Sequence, residues 1–90
     1  MIELIQQKIQ DLPTASATVA GWRLGGGQIV FTNGCFDLMH PGHLQYLAEA
    51  RQLGQRLVIG VNSDASVQKL KGPHRPIMDE TARTLLLASL

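Results

Sequence analysis

The sequence is short of cysteine, of aromatic residues and of charge of one sign, and each shortage closes off a class of function. A single cysteine, Cys35, excludes an internal disulfide framework and a four-cysteine zinc knuckle, and suits a reducing compartment. The four aromatic residues, Trp22, Phe31, Phe36 and Tyr46, are not arranged as a stacking platform for nucleic acid. Eight Lys and Arg against seven Asp and Glu leave a net charge of +1, which supplies no global field for a phosphate backbone. No apolar run approaches a membrane span, and the start Met1-Ile2-Glu3 lacks the basic end of a signal peptide. The expectation is a soluble cytoplasmic protein that binds neither nucleic acid nor membrane. With 44% hydrophobic residues in 90, the chain is globular and holds one domain at most. Glycine is plentiful at nine, and its placement carries more information than its number.

Periodicity orders the rest. Ile2, Ile5, Ile9 and Leu12 recur at helical spacing, with Pro13 as the natural stop. A second helix is expected from Thr14 as N-cap, through Val19 and Trp22, to the cluster Gly25-Gly26-Gly27. From Gln28 the pattern changes. Ile29-Val30-Phe31-Thr32 reads as a strand buried on both faces, which implies a parallel sheet. A tight turn over Thr32–Asp37 leads to His40-Pro41-Gly42-His43, where Pro41 opens a helix whose Leu44, Leu47 and Ala48 share a face and whose exit is Leu53-Gly54. Leu57–Val61 is a second strand, so residues 29–61 make one βαβ unit. Ser63–Ser66 caps a short helix ending near Leu70. A loop follows from Lys71 to Pro76, and Asp79 caps a last helix with an apolar stripe of Ala82, Leu85, Leu86 and Leu90. The division is a helical segment 1–27 and an α/β domain 28–90. Two strands with both sheet edges open lead to the expectation that the sequence is the N-terminal part of a longer α/β domain.

The stretch from Thr32 to His43 joins the carboxyl end of a strand to a helix N-terminus, where open α/β sheets bind ligands. Gly34 lets backbone approach a ligand, and the free N–H groups of the first helical turn favour an anion such as phosphate. The helix dipole contributes only about 0.3–1 kcal/mol when exposed, so side chains must add donors. His40 and His43, three apart, lie on one side of the helix start, and Gly42 between them leaves room for a nucleotide. In phosphoryl or nucleotidyl transfer to a phosphate nucleophile, positioning and charge stabilisation matter more than a strong base, and histidine donors suit that task. Other readings stay open at this point: His40 as a plain N-cap with His43 on the surface, a metal site of Cys35, His40 and His43, or Cys35 as a nucleophile. A second cluster, Lys69, Lys71, His74 and Arg75, has no acid between Asp64 and Asp79 and suits either phosphate binding or a solvated loop. Arg83 faces either solvent or the same site. Asp37 and Asp64 could orient donors, bind ribose, hold a metal or simply form turns.

The twelve residues Thr32-Asn33-Gly34-Cys35-Phe36-Asp37-Leu38-Met39-His40-Pro41-Gly42-His43 resemble the signature of the cytidylyltransferase-like nucleotidyltransferases, whose HxGH motif is shared with class I aminoacyl-tRNA synthetases. Together with Gly60–Val67, Leu70–Pro73 and Arg75-Pro76-Ile77, the sequence is similar within that superfamily to the bacterial D-glycero-β-D-manno-heptose 1-phosphate adenylyltransferases. The resemblance covers Gln28 to Leu90 well and the helical start loosely. It implies a Rossmann-like α/β nucleotidyltransferase fold with a parallel sheet. It also implies AMP transfer from ATP, with Mg²⁺, to a heptose 1-phosphate, giving ADP-heptose and pyrophosphate for lipopolysaccharide core synthesis. Carried onto this sequence, His40 and His43 would stabilise the transition state at the α-phosphate, with Lys71 also catalytic. Thr32, Asn33, Gly34, Cys35, Phe36, Gly42, Lys69 and Arg83 would bind the nucleotide or its phosphates, with Asp37, Asp64 and Arg75 in support. No protein-held metal site is implied. The implied partners are ATP and the sugar 1-phosphate, with a second copy of the chain or a fused or associated heptose-phosphate kinase. A CTP-dependent enzyme acting on glycerol 3-phosphate or a similar phosphate is the sister reading, and a nucleotide-binding or dimerisation piece without activity the reading from another class. The family's later strands and its late Ser/Thr-rich basic segment have no counterpart in these 90 residues, so the expectation is that a longer gene product is the adenylyltransferase and that these 90 residues alone are inactive or very weak.

Overall fold

In a computed structural model, which describes residues 1–90, the N-terminal pattern resolves into α1 (Ile2–Gln6) and α2 (Leu12–Leu24). Pro13 does not stop the first helix. It sits in the opening turn of the second, where its missing N–H would have had no helical partner. The cap is Asp11 rather than Thr14: its Oδ1 accepts the Thr14 amide at 2.9 Å. The exit at Gly25 is as expected.

Strand β1 (Ile29–Gly34) runs two residues further than its β-branched stretch and pairs in parallel with β2 (Arg56–Val61), Thr32 lying opposite Ile59 and Gly34 opposite Val61. Between them, α3 (Pro41–Gln52) makes the crossover. Two further helices follow, α4 (Asp64–Lys71) and α5 (Glu80–Ala88), giving the α/β, Rossmann-like arrangement with a parallel sheet that the periodicity and resemblance implied. Lys71 therefore ends a helix rather than opening the loop. No helix is long and apolar enough to cross a membrane.

Strand residues alternate between faces, and only one face is covered. Ile59 and Val61 pack with Met39 against the buried cluster of Phe36, Leu47 and Leu87, contributed by the turn, α3 and α5. On the other face Phe31 is 66% exposed, which corrects the expectation that the first strand is buried on both sides. In α3 the inward pair is Leu47 and Ala50, one turn apart, while Leu44 and Ala48 point outward. In α5 the inward residues are Arg83 and Leu87, not the stripe of Ala82, Leu85, Leu86 and Leu90. Helix α5 is turned so that a guanidinium enters the interior, and it can be so because carbonyl and carboxylate acceptors await it there. At its other end, Lys8 Nζ donates to Ala88 O at 2.9 Å and ties the N-terminal segment to the C-terminal turn of α5.

Candidate nucleotide-binding site

The parallel pairing sets the carboxyl ends of β1 and β2 side by side, and the amide of Asn62 donates to the carbonyl of Gly34 at 3.0 Å to close the pair. Beyond it the chain turns sharply at Phe36, whose φ of +50° is unusual for a side chain of that size. The turn drives the Phe36 ring into the core, against the ring of His43 at 5.8 Å between centroids. Gly34 makes this possible, since a Cβ there would lie 3.1 Å from the Phe36 ring. The absence of a side chain at Gly34 admits that ring. The backbone N–H groups of Cys35 and Phe36 donate to no acceptor in the protein, so the turn offers two free donors beside the helix start.

His40 is the N-cap of α3 and Pro41 its first residue, as the sequence implied. The two histidines cap the helix reciprocally. Nδ1 of His40 accepts from the Gly42 amide at 3.0 Å, and Nδ1 of His43 accepts from the His40 amide at 3.2 Å. Their rings lie 4.0 Å apart between centroids at an interplanar angle of 35°. Gly42 is required by this arrangement: a Cβ there would sit 2.7 Å from His40 Cε1. His43 is held below the ordinary histidine pKa, first by burial and then by the charges of His40 and Lys71. Lys71, at the end of α4, is near enough for its charge to act on His43. Lys69 and His74 are exposed and make no side-chain hydrogen bond.

Four residues proposed for ligands or support are engaged with one another and with backbone groups. Arg83 is completely buried. Its Nη1 donates to Cys35 O at 2.6 Å and Asn62 O at 2.8 Å, its Nε to Met78 O at 3.0 Å, and its Nη2 to Asp64 Oδ1 at 2.8 Å. In place of the phosphate contact expected of it, Arg83 locks the histidine-bearing turn to the end of β2 and the start of α4. Asp37, also buried, accepts the amides of Ile77 and Met78 at 3.0 and 2.9 Å and is paired with Arg75. Burial alone would raise its pKa, but the Met78 and Ile77 amides and the Arg75 guanidinium outweigh that and hold it at about 2. Arg75 is thus bound to Asp37 rather than to the open site, and Asp64 is bound to Arg83. Of the remaining strand residues, Thr32 is buried against the Tyr46 hydroxyl, while Asn33 faces out on the uncovered side. No group of three or more His, Cys, Asp and Glu that could hold a metal ion is formed, so Cys35, His40 and His43 do not make a zinc site. The sequence reading missed Tyr46, Asn62 and the 77–78 amides, whose partners lie 14 or more residues away and leave no local signal.

Residues 31–90, which span this turn, both histidines and the Arg83 lock, match the cytidylyltransferase-like family. The chain belongs to that family. Among curated relatives of this cytidylyltransferase-like chain, the bifunctional protein HldE of Caulobacter sp. (strain K31) is 59% identical over 83 residues, covering 92% of the chain and 17% of the relative. The bifunctional protein HldE of Magnetococcus marinus is 54% identical over the same length and shares. That of Paramagnetospirillum magneticum is 49% identical over 89 residues, or 99% of the chain and 18% of the relative. The chain thus spans less than a fifth of the length of these relatives.

Proposed function

We propose that the chain carries the phosphate-handling part of a nucleotidyltransferase that moves AMP from ATP to the phosphate of D-glycero-β-D-manno-heptose 1-phosphate. One observation carries the reading: His40 and His43 stand side by side at the start of α3, next to the unpaired amides of Cys35 and Phe36, with the Lys71 charge close by. This set of donors matches what charge builds up on an α-phosphate during displacement.

In the proposed reaction, an oxygen of the sugar phosphate attacks the α-phosphorus of ATP. The new P–O bond forms as the bond to the bridging oxygen breaks, and pyrophosphate leaves with that electron pair. The nucleophile is already an anion, so no general base is needed. His40 and His43 donate to the α-phosphate oxygens, the turn amides hold the phosphates, and Lys71 neutralises part of the charge. Mg²⁺ belongs to the reading as the counterion that arrives on ATP. The chain's own acids do not fit it, since Asp37 and Asp64 are already engaged with Arg75 and Arg83. Similarity to HldE proteins supports a heptose phosphate as acceptor, and the word bifunctional in their name supports a fused or associated partner activity, which we take to be a heptose-phosphate kinase.

The test is pyrophosphate release by the full-length protein with the heptose 1-phosphate and either ATP or CTP, with nucleotide binding followed by calorimetry. ATP-dependent formation of ADP-heptose, reduced at least a hundredfold in His43→Ala, is expected, the order of loss seen for removing one transition-state donor. A preference for CTP would overturn the adenylyl assignment. Unchanged turnover in His43→Ala would overturn the role of the histidine.

A further inference from the structure

We infer that the first turn of α3 fixes both histidines as neutral imidazoles bearing their proton on Nε2, so that the site presents two uncharged N–H donors. The inference rests on the proposed function for its purpose, but not for its evidence.

A neutral imidazole has one N–H and one bare nitrogen, and which is which follows from the partner of either. In both residues Nδ1 is taken as an acceptor by a backbone N–H: Gly42 for His40 at 3.0 Å and His40 for His43 at 3.2 Å. A backbone amide can only donate, so neither Nδ1 can carry a proton while the cap stands. The proton is thereby placed on Nε2 of each ring, the nitrogen away from the helix backbone. A second proton would have to go to Nδ1, where it would meet an amide proton head-on and break the cap. The rings are also 4.0 Å apart, so a charge on one opposes a charge on the other.

The groups around the pair act in the same direction. Lys71 on α4 is the charged side chain whose field reaches His43, and it disfavours a cationic ring. From the turn, Phe36 presents only its ring. From α5 and the two residues after it, the cleft beside His40 is lined by Leu86, Ser89 and Leu90, none with a charged side chain. The nearest acid of the turn, Asp37, is turned away to the 75–78 segment. No carboxylate oxygen lies within 4.0 Å of a nitrogen of either ring. The amides of His40 and Gly42 are positioning groups: they touch no substrate but decide which nitrogen does.

The decisive measurement is long-range ¹H–¹⁵N correlation of the histidine side chains in the nucleotide-free protein at pH 7.5, with exposed His74 as internal reference. His40 and His43 are expected in the Nε2–H form, and His74 as the usual fast-exchanging mixture. A Nδ1–H tautomer, or mixture values equal to those of His74, at either position would overturn the inference. Two variants separate the two sides of the His43 ring, because Asn places an oxygen near the position of Nδ1 and Gln places an amide N–H near that of Nε2. His43→Asn is expected to keep the melting temperature and lose ATP affinity at least tenfold, and His43→Gln to do the reverse. The opposite pattern would overturn the inference. Calorimetry in two buffers of different ionisation heat adds a third readout, with no proton taken up on ATP binding at pH 7.5 and uptake approaching one proton as the contrary result. Absence of ATP binding with Nε2–H tautomers in place would count against the proposed function and leave the tautomer assignment standing.

Discussion

The carboxylate of Asp37 and the guanidinium of Arg75 are paired across 38 residues of sequence, and the same carboxylate gathers the amides of Ile77 and Met78. This one acid fastens the segment leading into α5 to the turn that carries the histidines. Its pKa of about 2 in the fold lies below the ordinary 3.8, so between those values the unfolded chain binds more protons than the folded one. The stability Asp37 contributes is therefore complete above about pH 4 and disappears as pH falls through about 2. Urea unfolding over a pH series is expected to show this acid-side loss in the protein and to lack that component in Asp37→Asn, which should be weaker than the parent at neutral pH. An identical acid profile in the two would refute the assignment.

Arg83→Met is expected to lower stability by at least about 1–3 kcal/mol, the usual cost of leaving a hydrogen-bond acceptor in the interior without its donor. The loss arises because Cys35 O, Asn62 O and Met78 O are left without their donor as well as Asp64 without its charge. Arg83→Lys keeps the charge but not the fork, and should recover less than half of that. Chemical denaturation measures both. Full recovery in Arg83→Lys would show that charge alone mattered.

Gly42→Ala sets a gain against a loss. Alanine in a helix is favoured over glycine by about 1 kcal/mol, yet its Cβ would lie 2.7 Å from His40 Cε1. The ring must swing away, taking the cap acceptor with it. Stability within about 1 kcal/mol of the parent is expected by thermal melting, together with a loss of ATP affinity of tenfold or more by calorimetry. Undiminished affinity would mean that the His40 ring position does not matter.

Lys71→Met removes the one lysine whose charge bears on His43. The His43 pKa should rise toward the ordinary 6.5, measured by the pH dependence of its ring signals, while burial and His40 continue to hold it down. ATP binding should weaken and become less sensitive to salt. A His43 titration that does not move would place Lys71 too far away to act.

The βαβ unit, the His40 cap, Pro41 and the caps at Ser63 and Asp79 were all legible, because each is written in a window of a few residues. Pro13 misled because proline serves both as a stop and as a first-turn residue, and only the Asp11 cap decides between them. The glycines at 34 and 42 were recognised as places needing space, but what adjoins them is a side chain two residues away, Phe36 after the first and His40 before the second. Arg83 and Asp37 were the least legible. An arginine among leucines reads as an outward residue by periodicity, and its burial depends on acceptors 5, 19, 21 and 48 residues away. No local pattern encodes a meeting of that kind.

One guanidinium nitrogen of Arg83 reaches the carbonyl after β1 and the carbonyl after β2 at once. A parallel pair that slipped by one residue would move those two oxygens about 3.3 Å relative to each other, beyond what a single nitrogen can bridge. Arg83 thus works as a register gauge, satisfied by one alignment of the strands and left with a buried, unspent charge by its neighbours. The same alignment decides how far Lys71, which follows β2, stands from the histidines, which follow β1. In this protein the fidelity of strand pairing and the geometry of the proposed phosphate site are set by the same side chain.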